Sequence, residues 1–135
     1  MIIENTKELS DAESSVIAKE ATKLLIEKKA IDIKLYDVAE NSGVTDFYIN
    51  CTGRSSTHVS SLADEIVDNL EGRGKSALRV EGRQGNSWLL VDFGSVIINV
   101  FDAESRNYYN FDRLLPAESL VDISELVAEV DKKFS

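Results

Sequence analysis

Apolar residues along this chain follow two rhythms, and their order sketches a fold. Ile17, Ala21, Leu24 and Leu25 recur at helical spacing. Ser10 stands three residues before Glu13, where a hydroxyl and a carboxyl can cap each other's backbone donors, so a helix is predicted over about residues 11–29. Ile31, Ile33 and Leu35 then alternate with Asp32, Lys34 and Tyr36, a period of two that predicts a strand with one buried face. Asn41-Ser42-Gly43 reads as a turn. A second strand follows, with Phe47, Ile49 and Cys51 in the apolar phase and Tyr48, Asn50 and Thr52 in the other. Beyond the small, polar stretch 53–57, Val59, Leu62, Ala63, Ile66, Val67 and Leu70 share one side of a second amphipathic helix, which ends at Gly72 and Gly74.

Three more strands are predicted over residues 78–81, 88–93 and 95–101, joined by the link 82–87 and the tight turn at Gly94. Both links suit antiparallel hairpins. Asp102 is placed to cap a short helix running to Tyr109, and Pro116 breaks the chain before a last amphipathic helix carrying Ile123, Leu126, Val127 and Val130. Helices alternate with strands at first and hairpins come later, so the expected class is α/β (α+β), a mixed sheet of about five strands with flanking helices. In the fourth strand Leu89, Val91 and Phe93 point one way, Trp88, Leu90 and Asp92 the other. If helices cover the first set, the second stays on a free face, where a tryptophan beside a leucine makes a binding patch. The alternative is Trp88 packed beneath a loop or the C-terminal helix, because tryptophan is highly buried on average.

Length and charge narrow the functions. With 135 residues the chain is sized for one domain, and 43% hydrophobic against 29% charged residues can close a core. Its 24 acidic and 15 basic side chains leave a net charge of -9, whereas a direct phosphate-backbone binder needs clustered Lys and Arg. Little direct nucleic-acid binding is expected, and acidic charge steers a protein toward basic surfaces, including proteins that themselves sit on RNA. Cys51 is the only cysteine, which excludes an internal disulfide and suits a reducing compartment. Met1–Ser10 carries Glu4 and Glu8 without a basic and apolar leader pattern, and no stretch reaches the roughly 20 apolar residues of a membrane span. A cytoplasmic protein without a membrane partner is expected.

Candidate chemistry is sparse. Gly53, Arg54 and Ser55 precede the second helix and form a possible anion-binding turn, but the fuller glycine spacing and lysine of a P-loop are missing; a glycine turn with a serine N-cap explains the same residues. A strand, a Gly-Ser turn and a helix also resemble nucleotidyltransferases, whose two-metal chemistry needs carboxylates one residue apart on a strand. Asp11/Glu13 and Asp102/Glu104 fall at predicted helix starts and Glu129/Asp131 inside the last helix, so no predicted strand carries such a pair. Asp64, Glu65 and Asp68 read as a solvated helix face. Cys51 shares the apolar phase of Phe47 and Ile49 and reads as a packed thiol, not a nucleophile. His58 reads as an exposed or capping residue, and one His with one Cys falls short of a structural zinc site. No metal and no cofactor are expected.

Taken in order, Thr45-Asp46-Phe47-Tyr48-Ile49, Thr52-Gly53-Arg54-Ser55-Ser56-Thr57-His58-Val59, Val80-Glu81-Gly82-Arg83, Trp88-Leu89-Leu90-Val91-Asp92-Phe93-Gly94 and Val100-Phe101 with Arg106, Tyr109 and Leu114 resemble the ribosomal silencing factor (Iojap-like) family. The resemblance covers residues 10–115. It implies a domain over residues 1–115 followed by a C-terminal helical extension over 116–135, and a fold similar to the nucleotidyltransferase core without its carboxylates. It also implies a non-enzymatic protein that binds the large ribosomal subunit at ribosomal protein uL-fourteen, blocks joining of the small subunit and damps translation when nutrients are scarce. A second copy of the chain is a further expected partner. Trp88, Leu90, Asp92, Phe93 and Tyr109 are the expected partner-binding residues. Ser95 stands where the family usually has Asp, and Asn99 where it usually has His. The competing reading is an enzyme acting on nucleotides through the Gly53 turn.

Overall fold

The structure is a computed structural model that describes residues 8–83 and 85–134. Segment 1–7, on which the expectation of a missing leader partly rests, lies outside the described residues, as do Gln84 in the predicted link 82–87 and Ser135. Helix α1 spans Ser14–Glu27, strand β1 Ile31–Asp37, strand β2 Phe47–Gly53 and helix α2 Ser56–Gly72. Strands β3 (Arg79–Arg83), β4 (Trp88–Asp92) and β5 (Val96–Asp102) lead into helix α3 (Ala103–Tyr109). Two single turns at Phe111–Leu114 and Ala117–Ser119 then precede strand β6 (Leu120–Val121) and helix α4 (Ser124–Lys133).

The sheet has six strands in the order β3-β4-β5-β2-β1-β6. Its pairs are antiparallel except β2 with β5, which run parallel, as expected where helix α2 and a hairpin intervene between them. Expectation and structure differ by β6, which lies in the segment read as a helical extension. Two residues are too few to show a period, so only tertiary pairing with Leu35 and Tyr36 reveals them as a strand. The segment beyond Pro116 is thus joined to the sheet edge, and α4 packs against α1 with Val130 buried and Lys23–Glu129 and Lys133–Glu27 ion pairs between them.

Helices α1 and α2 cover one sheet face. Ile17, Ala21 and Leu25 from α1 and Val59, Leu62, Ile66 and Leu70 from α2 meet Leu35, Ile49, Cys51, Val91, Ile98 and Val100 from the strands, all buried. Cys51 is fully enclosed, and burial pushes its thiol up to about 12, which keeps it protonated and inert. Helix α1 starts later than the Ser10–Glu13 spacing suggests: it begins at Ser14, Glu13 sits at the N-cap without a side-chain cap bond, and Ser14 Oγ donates to Asp46 Oδ2 at 2.8 Å. At the start of α2 the cap is real, with Ser55 accepting from the His58 backbone N–H.

Candidate partner-binding face

Because side chains alternate along a strand, filling one face with the helix core commits Tyr36, Tyr48, Asn50, Thr52, Trp88, Leu90, Asp92, Ile97, Asn99 and Phe101 to the other. That second face is only partly covered. Asp102 ends β5 and caps α3 by accepting from the Ser105 N–H at 2.8 Å, and Asn110 closes α3 in the left-handed region at φ 47°. This reversal returns Phe111 and Asp112 over the sheet. Trp88 lies under the returning segment, 4.9 Å between ring centroids from both Phe101 and Tyr109 and 6.2 Å from Phe111; Tyr48 meets Phe111 edge-on at 5.3 Å.

Trp88 is half-buried, so it sits neither on a bare face nor in the core, and the cover is α3 with its following turn instead of the C-terminal helix. Leu90 is half-buried beside it, and the two line a small notch with Glu81 and Gly82. Tyr109 is 42% exposed and reaches the rim. Asp92 is spent locally: its carboxylate accepts from the Gly94 N–H at 2.7 Å and from Arg79 Nε at 3.1 Å. Phe93 needs correcting as a contact residue. It is 2% exposed and packed with the helix-covered core, on the side that its own alternation with Leu89 and Val91 demands.

Beneath the aromatic rings runs a chain of polar bonds. Trp88 Nε1 donates to Asn99 Oδ1 at 3.0 Å, Asn99 Nδ2 to Asn50 Oδ1 at 3.0 Å, and Asn50 Nδ2 to Asp112 Oδ1 at 2.9 Å. Asp112 also accepts from Tyr36 Oη at 2.9 Å and from Arg106 Nε at 2.7 Å. Arg106, 9% exposed, adds a bond from Nη2 to Asp112 Oδ1 at 3.4 Å and directs Nη1 to Thr52 Oγ1 at 2.9 Å and the Asp32 carbonyl at 3.0 Å. The Asp32 backbone is left-handed, φ 50°, where β1 departs from the predicted alternation by a register shift. Burial alone would raise the Asp112 carboxyl, but bonds from Arg106, Asn50 and Tyr36 and the guanidinium charge outweigh it and hold it below its ordinary value. For Tyr36, burial and the bond to that carboxylate act together to raise the phenol.

Sequence reasoning missed Asn50, Thr52, Phe111 and Asp112. The signal was present in the polar phase of β2, which placed Asn50 and Thr52 on the second face; nothing local showed that Asp112 would fold back to meet them. The Gly53 turn is accounted for by packing. A Cβ at Gly53 would lie 2.7 Å from Val59 Cγ2 and 2.9 Å from Val59 N, while the Arg54 N–H donates to His58 Nδ1 at 2.9 Å. His58 Nε2 meets the Lys28 carbonyl at 3.0 Å, so the ring ties the start of α2 to the end of α1. Among the described residues no cluster of three His, Cys, Asp or Glu could hold a metal, and no helix is long and apolar enough to cross a membrane.

A family model described as ribosomal silencing factor during starvation matches residues 11–135. The chain belongs to the ribosomal silencing factor family. The matched span includes residues 116–135, consistent with β6 and α4 being built onto the sheet and α1. Ribosomal silencing factor RsfS of Bacillus subtilis is 35% identical over 107 residues, 79% of this chain and 91% of that one. A mouse protein named mitochondrial assembly of ribosomal large subunit protein 1 is 29% identical over 110 residues, 78% of this chain and 48% of its own. A crystal structure of a Chromobacterium violaceum protein superposes with a TM-score of 0.74 at 30% identity, covering 77% of this chain and 87% of that one. Family membership makes the work of this chain that of a ribosomal silencing factor.

Proposed function

We propose that the chain binds the large ribosomal subunit at ribosomal protein uL-fourteen through the sheet face bearing Trp88, Leu90 and Tyr109, and that its bulk there blocks joining of the small subunit, repressing translation under nutrient limitation. The observation that carries this reading is the family match over residues 11–135. A half-covered aromatic face at the end of the sheet away from β6 supports the reading, since patches of this kind anchor protein interfaces. A net charge of -9 suits a basic protein partner better than bare RNA. Occlusion requires no chemistry, and the reading is of a non-catalytic, cytoplasmic protein.

The test is a subunit-joining assay by light scattering, with purified large and small subunits at a magnesium concentration that supports joining. Stoichiometric chain added to large subunits beforehand should lower the joined fraction, and the chain should co-sediment with large subunits alone. Unchanged joining despite saturated binding would refute occlusion. Turnover of nucleoside triphosphates that is lost in a carboxylate variant would favour the enzymatic reading instead.

A further inference from the structure

We propose that Asn99 is a positioning residue for recognition: its side-chain carbonyl holds the indole of Trp88 in the orientation that the ribosomal partner meets. This deepens the proposed function and rests on Trp88 being a contact residue. The argument is one of hydrogen-bond polarity. An indole Nε1–H can only donate and a carboxylate can only accept, so a chain of amides between Trp88 and Asp112 has one consistent direction. Asn99 must turn Oδ1 to Trp88 and Nδ2 to Asn50, and Asn50 must turn Oδ1 to Asn99 and Nδ2 to Asp112, the arrangement observed. Both amides are buried, at 1% and 0% exposure, so water does not compete for the bonds.

Sheet register explains why the bond fixes an orientation. Trp88 is directly opposite Phe101, while Leu90 is opposite Asn99, so the indole reaches Asn99 on the diagonal. Ring contacts with Phe101, Tyr109 and Phe111 set where the indole plane lies, and such contacts constrain the direction of Nε1 less than a hydrogen bond does. The bond to Asn99 holds Nε1 inward toward β5. Asn50 is opposite Asn99 in the parallel β2–β5 pair, so the acceptor is itself held from the strand behind it.

Trp88 is the only tryptophan, so a proton–nitrogen correlation spectrum contains one indole cross-peak that reports this bond. Asn99→Leu should move that peak and speed its exchange with solvent. Binding to purified large subunits from the organism that encodes the chain, measured in the cold where every variant is folded, should weaken about tenfold, the worth of one hydrogen bond. Trp88→Phe keeps a ring and removes the donor; in that background Asn99→Leu should change affinity by less than about twofold, because the shared bond is already gone. An unmoved indole peak in Asn99→Leu, or an undiminished affinity loss in the Trp88→Phe background, would overturn the positioning role. Full binding by Trp88→Ala would overturn the contact reading beneath it, so the two failures are distinct.

Discussion

Replacing Asp112 by Asn tests the polar chain at its most heavily used atom pair. The change removes one negative charge and leaves the shape. If the new amide keeps Oδ1 toward Tyr36 and Asn50, its NH2 faces Arg106 Nε, donor against donor; if it flips, the NH2 faces Asn50 Nδ2 instead. Either way a bond is lost and the Arg106 guanidinium, whose side chain is 10% exposed, keeps its neutral acceptors Thr52 Oγ1 and the Asp32 carbonyl but has the Asp32 carboxylate at 3.6 Å as its one remaining anionic partner among the described residues. Removing one partner of a buried ion pair costs about 3–5 kcal/mol. Asp112 retains 18% exposure and Asp32 remains nearby, so the low end, about 3 kcal/mol, is expected.

For a chain of this length the entropy of unfolding is about 0.3 kcal/mol/K near the melting point, so the variant should melt roughly 10 °C lower. Thermal unfolding followed by circular dichroism measures this, with Asp32→Asn as a control. That pair is 57% exposed at Asp32 and long, and asparagine tolerates the left-handed backbone there, so the control should shift by no more than about 3 °C. Because the native Asp112 value is lowered, its stabilisation is present above the ordinary value of 3.8 and fades as the pH falls through the lower native one. The gap between wild type and Asp112→Asn should therefore close in acid. A gap under about 1 kcal/mol at neutral pH would show that Asp112 does not hold the returning segment on the sheet.

Gly53→Ala should destabilise by about 1–3 kcal/mol, because the added Cβ meets the Val59 backbone and not merely a side-chain tip; chemical denaturation reads this, and an unchanged midpoint would contradict the close-packing account. Trp88→Ala should cost about 2–3 kcal/mol of stability from its ring contacts and also weaken ribosome co-sedimentation; loss of stability alone would remove it from the interface. Truncation after Leu115 strips β6 and α4 and with them the buried Val130, a loss of about 3 kcal/mol or more by thermal melting. Binding at low temperature should survive, since β1, β2 and β5 separate β6 from β4. Association with large subunits should slow between low and moderate salt, where screening acts over about 8–10 Å, and a flat on-rate would deny the acidic surface a steering role.

Where a residue's neighbours in sequence decide its structure, the pattern was sufficient. The periods of α2 and β2, the Asp102 cap and the Gly94 link all emerged from local spacing. Ser10 and Glu13 show the limit: their spacing fits a capping box, yet Ser14 finds Asp46, 32 positions away in sequence, and the helix starts later. Strand β6 and Asp112 failed for the same reason, being defined by partners on β1 and β2 rather than by anything nearby. The candidate face was half legible: alternation placed Trp88 opposite Leu89 and Val91, but the cover that half-buries it depends on the left-handed turn at Asn110.

The covered face raises a question of economy in surface chemistry. A sheet face of Trp88, Leu90, Ile97, Phe101 and Tyr48 left open would be an apolar patch prone to unspecific association. Folding α3 and Phe111 over it shelters part of the ring surface, while the row beneath those rings is polar: Asn99, Asn50, Thr52 and Arg106. Each of those groups must be satisfied, and among the described residues no buried side-chain nitrogen or oxygen lacks a partner. An apolar core of similar shape could match this stability without directional bonds. What the polar row adds is geometry. Its bonds accept one arrangement of amides, guanidinium and carboxylate, and that arrangement fixes the cover at Asp112 and the indole at Trp88 together. Loosening either end should therefore be felt at the other, so Asp112→Asn is expected to broaden or move the Trp88 indole resonance even where the protein remains folded; an indole peak indifferent to Asp112 would show that the two ends of the chain act separately.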